Sequence, residues 1–88
     1  MKCDKCSSCV GIEEHHIHPR FMNNPDGKGK KIWLCKFCHG IIHQTLIPSI
    51  LWSYIQDKGY NMSAWLCKEQ CIEAVKRRTL TWLSEKDS

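Results

Sequence analysis

The 88-residue chain has no long apolar run, and this absence excludes a membrane-spanning helix. Its most apolar stretch, Ile41–Trp52, is interrupted by polar residues and by Pro48. It therefore falls short of the ~18 consecutive apolar residues that such a helix needs. No apolar core follows the lysines near the N-terminus, so a secretory signal is not expected either. These absences predict a cytoplasmic protein.

The sequence also has little net charge, which is only +4. All of this excess lies in Arg20–Lys36, where five basic residues accompany a single acid, Asp26. A local positive patch attracts a polyanion without reading its sequence. A solvated loop explains the same pattern, because glycines flank Lys28. Charge alone therefore leaves nucleic-acid binding and a plain surface loop open.

Turn-forming residues and apolar spacing predict a small α+β chain. The predicted strands are Val10–Ile17 and Lys31–Leu34, joined by a loop at Pro19–Gly29. The first predicted helix is Cys35–Gln44, which Pro48 ends or kinks, and the second is Ser49–Asp57, which stops at Lys58-Gly59. The last predicted helix runs from Asn61 or Ser63 to Leu83. We divide the chain into a Cys/His-rich part, 1–47, and a helical extension, 48–88, within one compact domain.

The last predicted helix carries apolar residues at helical spacing, which indicates a core face or a contact between chains. Trp65, Ile72 and Trp82 are the candidates for a two-fold interface in a homodimer. Cys67 and Cys71 lie one turn apart in the same predicted helix, and we interpret them as buried small apolar residues. Lys76–Arg78 is interpreted as a solvated helix face or, together with the loop Asn23–Lys31, as a candidate for substrate selection.

Four of the seven cysteines form two Cys-x2-Cys pairs. The first pair is Cys3 with Cys6 or Cys6 with Cys9, and the second is Cys35 with Cys38. Each pair turns tightly enough to direct two thiolates at one ion, so two pairs predict a closed, structural zinc site. Disulfides would need an oxidising compartment, which nothing in the sequence suggests. We prefer Cys3 to Cys9, because Ser7–Glu14 is then free to turn into the first strand.

Four histidines form two tight groups, His15-His16 and His39-x3-His43. On a helix, His39 and His43 lie one turn apart on one face, where both can reach one ion. Neighbouring strand residues point to opposite faces, so at most one of His15 and His16 joins them. Three protein ligands leave an open position, as a catalytic metal needs. Alternatively, His39 or His43 replaces a cysteine at the zinc or lies on the surface.

Together these residues resemble the HNH endonucleases of the ββα-metal fold, in their zinc-knuckle form. The resemblance spans residues 3–43 and rests on the first Cys-x2-Cys pair, on Glu14-His15-His16-Ile17-His18-Pro19-Arg20, and on Leu34-Cys35-Lys36-Phe37-Cys38-His39-Gly40-Ile41-Ile42-His43. It implies a small α+β fold in which a ββα-metal core with a structural four-cysteine zinc site precedes C-terminal helices.

The resemblance also implies roles for single residues. His16 stands where the family has its general base, and His15 and His39 stand where it has metal ligands. His43 resembles an additional ligand of colicin-type members. Arg20 would bind a phosphate oxygen, and the backbone of the nucleic acid would be held by Lys28, Lys30 and Lys31. Lys30 replaces an asparagine that many members use to tie the loop to the catalytic strand, and Asn23 or Asn24 is the candidate substitute.

The implied function is a metal-dependent endonuclease that hydrolyses DNA phosphodiester bonds and leaves 5′-phosphate ends. It would nick one strand or, as a homodimer, cut both, acting on double-stranded DNA in a bacterial or phage-infected cell and not at a membrane. Its cofactors would be a structural Zn²⁺ and one catalytic divalent ion, Mg²⁺, Mn²⁺, Ni²⁺ or Zn²⁺. The alternatives are a non-catalytic, zinc-bound nucleic-acid-binding module and, less favoured, a zinc-ribbon adaptor for other proteins.

Overall fold

A computed structural model describes residues 1–58 and 61–85 of the chain. In this part, an antiparallel pair of strands, β1 (Ile12–His16) and β2 (Lys31–Cys35), precedes the helices. The α-helices are α1 (Lys36–Ile41), α2 (Ile47–Lys58), α3 (Met62–Leu66) and α4 (Glu69–Ser84), and a π-helical turn (Ile42–Leu46) joins α1 to α2. The predicted small α+β class is confirmed.

The two strands pair over their full length, with Ile12 opposite Cys35 and His16 opposite Lys31. This register brings the histidines of β1 alongside the strand that leads into α1. The predicted first strand, Val10–Ile17, was too long at both ends. At its start Gly11 has a φ of +64°, which is outside the β region and therefore ends the extended backbone.

The buried side chain of Asn24 makes three hydrogen bonds within the loop between the strands. Its Nδ2 donates hydrogen bonds to the carbonyl oxygens of His18 and Lys28, at 2.8 and 2.9 Å. Its Oδ1 accepts a third bond, of 3.0 Å, from the N–H of Lys28. Asn24, and not the exposed Asn23, thus ties this loop to the end of β1.

Residues 36–58 form one continuous helix whose winding changes in the middle. In the π-helical turn the carbonyl of Ile42 accepts a hydrogen bond from the N–H of Ile47. Pro48 follows immediately; it has no N–H, and its ring would clash with a carbonyl one α-helical turn earlier. A wider turn lets the carbonyls ahead of a proline avoid that clash. The helix therefore does not end at Pro48, and the predicted distortion lies just before it.

The C-terminal part contains two helices where the sequence predicts one. Of the two predicted caps, Asn61 and not Ser63 begins α3, because its Oδ1 accepts a 2.8 Å hydrogen bond from the N–H of Ala64. The chain then turns at Cys67 and is extended at Lys68 before α4 begins. The prediction that Cys67 and Cys71 share a helix is therefore wrong. The prediction that both are buried is confirmed for Cys71 and wrong for Cys67, which is exposed. α2 ends at Lys58, and the predicted stop at Gly59 falls outside the described residues.

The core lies between the hairpin and the helices and draws on nearly every element. Its largest buried side chains are Trp65, Met22, Leu34, Ile42 and Val75. The ring of Trp65 packs on Tyr54 of α2, with centroids 4.6 Å apart. Ile72 is buried in the same core, so neither Trp65 nor Ile72 is free for the predicted two-fold interface. The homodimer itself stays a prediction.

The N-terminal turn is attached to both ends of the fold. The N–H of Asp4 donates to the carbonyl of Trp33 at 2.7 Å, and the N–H of Trp33 donates to Oδ2 of Asp4 at 2.8 Å. Lys5, the next residue, donates to the carbonyl oxygens of Trp82 and Glu85 at the end of α4. The first cysteine pair is thereby fixed between the sheet and the last helix.

Over the described residues, none of the helices combines the length and the apolar character required to cross a bilayer.

Candidate functional site

Four cysteines from two distant segments meet in one cluster. Cys3 and Cys6 come from the N-terminal turn, and Cys35 and Cys38 come from the junction of β2 and α1. Their sulfurs all lie within 4.8 Å of one another, close enough to hold one metal ion such as zinc. The Cys6 and Cys35 sulfurs are 3.6 Å apart, against the roughly 3.8 Å expected of a tetrahedral site with Zn–S bonds of about 2.3 Å.

A local hydrogen bond positions the first sulfur of each pair. In the first pair the N–H of Cys6 donates to Sγ of Cys3 at 3.5 Å, and in the second the N–H of Cys38 donates to Sγ of Cys35 at 3.4 Å. Cys35 is also the N-cap of α1, so the helix start fixes the second pair. Cys9 is exposed and is not one of the four residues in the cluster.

The electrostatics of this cluster favour a cation. Burial opposes ionisation of the Cys3 thiol, but hydrogen bonds from backbone N–H groups lower its pKa to about 6. Burial and the neighbouring thiols raise the pKa of Cys38. One negative charge therefore makes the next harder to form, and a bound cation removes this penalty because it stabilises all the thiolates together. The donor set thus fits a structural zinc ion.

Three histidines form a second cluster. His15 from β1, His39 from α1 and His43 from the π-helical turn each offer a ring nitrogen within 4.8 Å of the others. Nε2 of His39 and Nε2 of His43 are 2.9 Å apart. The rings of these two histidines lie 5.1 and 5.3 Å from the ring of His15. The three nitrogens are close enough to hold one ion.

His15 gives this cluster its chemical character. Burial, followed by the neighbouring imidazoles of His39 and His43, lowers the pKa of His15 to about 3. Burial also lowers the pKa of His43. Nε2 of His15 is buried and has no hydrogen-bond partner among the described residues. Neutral imidazoles are the form that binds metals, and an unpaired buried nitrogen is costly unless something binds it.

Two carboxylates that the sequence analysis did not single out lie beside the histidines. Oε1 of Glu13 is 3.0 Å from Nδ1 of His39, an arrangement that orients the imidazole and leaves Nε2 for an ion. Oε1 of Glu14 is 3.4 Å from Nε2 of His16. The sequence pattern of β1 could have indicated these neighbours, because every second residue of a strand lies on the same face. Glu13 therefore shares a face with His15, and Glu14 shares a face with His16.

His16 lies outside the three-histidine cluster but lines the same cleft. Its ring is packed against the backbone of Gly27, where an added Cβ would lie 2.7 Å from Nε2 of His16. Gly27 has a φ of +65°, so the loop can make this approach only with a residue that tolerates the left-handed region. The loop and Glu14 together fix the position of the ring.

An open cleft of about 380 Å³ lies over these side chains. Its lining includes His15, His16, His39, His43, Arg20 and Phe21. Nε and Nη2 of Arg20 donate to the carbonyl oxygen of Pro25, at 3.2 and 2.9 Å, which holds the guanidinium at the edge of the cleft. The three lysines predicted to contact a nucleic acid are all exposed, namely Lys28, Lys30 and Lys31.

α4 carries the second basic segment of the sequence, Lys76–Arg78. Arg78 shares a groove with Ile41 and Thr45, which lie on the side of the long helix away from His39 and His43. This segment is therefore not part of the histidine cleft. The site consequently rests on the hairpin, its loop and the first half of the long helix.

Comparison of the chain with family models, with curated proteins and with solved structures gives no match.

Proposed function

We propose that this protein is a metal-dependent endonuclease of the HNH kind, which hydrolyses phosphodiester bonds of DNA. One observation carries the proposal: a single open cleft holds three histidine nitrogens within 4.8 Å of one another, a further histidine beside them, and an arginine. A purely structural metal site would be closed by its protein ligands, whereas three ligands leave a position for substrate.

The two clusters serve different purposes in this proposal. A zinc ion held by the four cysteines stabilises the junction of sheet and helix. His15, His39 and His43 would hold a divalent ion, which would supply positive charge to stabilise the transition state of phosphodiester hydrolysis. Imidazole ligands suit Zn²⁺, Ni²⁺ and Mn²⁺ better than Mg²⁺, which prefers oxygen.

His16 is the general base in the proposed reaction. The carboxylate of Glu14 lies 3.4 Å from Nε2 of His16 and helps to orient the ring. The neutral imidazole of His16 accepts a proton from water, and the resulting hydroxide attacks phosphorus. The bond from phosphorus to the 3′-oxygen breaks, and this oxygen takes a proton from solvent, which leaves a 5′-phosphate and a 3′-hydroxyl.

Substrate binding in this proposal depends on fixed charges rather than on base recognition. Arg20 presents its guanidinium at the edge of the cleft, where it can donate to a phosphate oxygen. Lys28, Lys30 and Lys31 are exposed on the loop and hairpin, where they attract the rest of the backbone. We therefore expect binding to weaken steeply as salt is raised.

The decisive experiment compares the wild type with His16→Ala on supercoiled plasmid, in a series of divalent ions. We expect His16→Ala to cut at least about 100-fold more slowly, since a positioned base contributes that much or more. Zinc content and DNA affinity should be unchanged, because neither depends on His16. A fully active His16→Ala variant would refute the assignment. If the wild type binds DNA but does not cleave it in any ion tested, the result would instead favour the alternative function, a non-catalytic nucleic-acid-binding module.

A second pair of variants tests the metal ligands on one helix. His43→Ala removes a nitrogen of the cluster, whereas Thr45→Ala changes an exposed residue of the same π-helical turn that lines a different groove. We expect only His43→Ala to lose cleavage, and we expect added Mn²⁺ or Ni²⁺ to restore part of it. Equal activity of the two variants would contradict the proposed ligand set.

A further inference from the structure

Phe21 is a half-exposed aromatic residue at the edge of the histidine cleft. Its side chain keeps 48% of its accessible surface, although its neighbour Met22 is fully buried. Its ring centroid lies 5.9 Å from that of His43, at an interplanar angle of 48°. The phenyl ring therefore stands directly beside the cluster at which the scissile phosphate is proposed to bind.

The exposure of Phe21 is imposed by its neighbours. Met22 is fully buried, and its N–H donates to the carbonyl of Pro19 at 3.0 Å. On the other side, Arg20 is tied to Pro25 through its guanidinium, and its carbonyl accepts from the N–H of Asn24 at 3.2 Å. The turn thus holds the phenyl ring outward, so a ligand that stacks on it does not have to order the backbone first.

We propose that Phe21 stacks on the nucleobase next to the scissile phosphate, and that this contact favours sites in DNA where that base is unpaired. The proposal rests on the proposed nuclease function. Aromatic side chains bind bases of any sequence through their π-faces. In an intact duplex each base is already stacked on its neighbours, so the phenyl ring must displace one of them. At a gap, a bulge or a frayed end, the face of the base is free.

The test measures kcat/KM on a labelled strand, either fully paired or with one unpaired base at the cut, and on the same strand with an abasic spacer at that position. We expect Phe21→Ala to lose about tenfold on the unpaired site, within the range of one base stacked on one aromatic residue. The abasic spacer should lower the kcat/KM of the wild type by a similar factor and should not lower the kcat/KM of Phe21→Ala any further. Phe21→Trp should retain the preference.

Phe37→Ala is the matched control, because Phe37 is also exposed but lines a different groove, with Cys6 and Trp82. It should behave as the wild type. The stacking proposal is overturned if Phe21→Ala keeps the wild-type preference for the unpaired site, or if the abasic penalty is the same with and without the phenyl ring.

A binding measurement separates this proposal from the nuclease function on which it rests. A strand carrying 2-aminopurine at the unpaired position is titrated with His16→Ala and with His16→Ala combined with Phe21→Ala. Quenching of the fluorescence by the first protein and not by the second supports stacking, even if no protein cleaves. Equal quenching by both proteins contradicts it, even if the wild type is an active nuclease.

Discussion

The contact between His16 and Gly27 shows how a residue without a side chain can determine the position of a histidine ring. A methyl group at position 27 would lie 2.7 Å from Nε2 of His16 and 3.5 Å from Cδ of Arg20. Both neighbours line the cleft, so the loop positions two of its side chains through a single glycine. Displacements of about 1 Å in an active site can lower the rate by ~100-fold.

We therefore predict that Gly27→Ala loses activity out of proportion to its loss of stability. Gly29→Ala is the matched control, because Gly29 also has a positive φ, +97°, but a Cβ there meets no atom of the described chain within 4 Å. Each substitution should cost about 1–2 kcal/mol of unfolding free energy from the left-handed backbone. Cleavage should fall by roughly 100-fold in Gly27→Ala only. Plasmid nicking and urea unfolding measure the two effects, and equal nicking by both variants would contradict the role of the contact.

Residue types and spacing were enough to predict which side chains meet, but not how they are supported. The structure brings together Cys3, Cys6, Cys35 and Cys38, and separately His15, His39 and His43; their roles stay predictions. Glu13, Glu14 and Gly27 were not foreseen, because their contributions depend on distances across the hairpin and its loop. Such distances follow from strand register and loop path, which short motifs do not encode.

At the scale of the elements, the hairpin and the start of α1 follow from the sequence, whereas two features of the helices do not. The wide turn at Ile42–Leu46 arises from the backbone ahead of Pro48, and a proline by itself does not tell whether a helix stops or rewinds. The break at Cys67 and Lys68 contains neither proline nor glycine. It allows Trp65 to pack on Tyr54, so tertiary packing decides it and local propensity does not.

Lys5 connects two elements, and its removal should weaken the attachment of α4. Its Nζ donates to carbonyl oxygens at the end of that helix and lies 4.9 Å from the centroid of the Trp82 ring. A cation at a helix C-terminus contributes about 0.3–1 kcal/mol, and a cation–π contact adds about 0.5–1 kcal/mol. We predict that Lys5→Met lowers the unfolding free energy by roughly 1 kcal/mol.

The measurement for Lys5→Met is chemical unfolding of the zinc-loaded protein, followed by tryptophan fluorescence. Lys2→Met, at an exposed position of the same segment, is the control and should be neutral. Equal stability of both variants would mean that the contacts of Lys5 with α4 contribute nothing measurable.

At the scale of the whole molecule, the four-cysteine cluster is expected to decide whether the chain folds. Small domains have a total stability of about 5–15 kcal/mol, and a structural zinc site contributes roughly 10–16 kcal/mol at neutral pH. We predict that Cys35→Ser, or removal of zinc by a chelator, unfolds the protein at room temperature. Circular dichroism and zinc content report the result.

Cys9→Ser is the matched control for this prediction, because Cys9 is exposed and outside the cluster. It should keep both its zinc and its melting temperature. A Cys35→Ser variant that melts at the wild-type temperature would show that the cluster does not contribute to folding.

The order of these groups along the chain bears on biosynthesis. All seven residues of the two clusters lie at or before His43, whereas Trp65, Ile72 and Val75 complete the core from later positions. Chains emerge from the ribosome N-terminus first, at about 5–20 residues per second. All the thiols and imidazoles of the two clusters therefore leave the ribosome before the apolar residues that complete the core, and metal can be acquired before the last helices are free to pack.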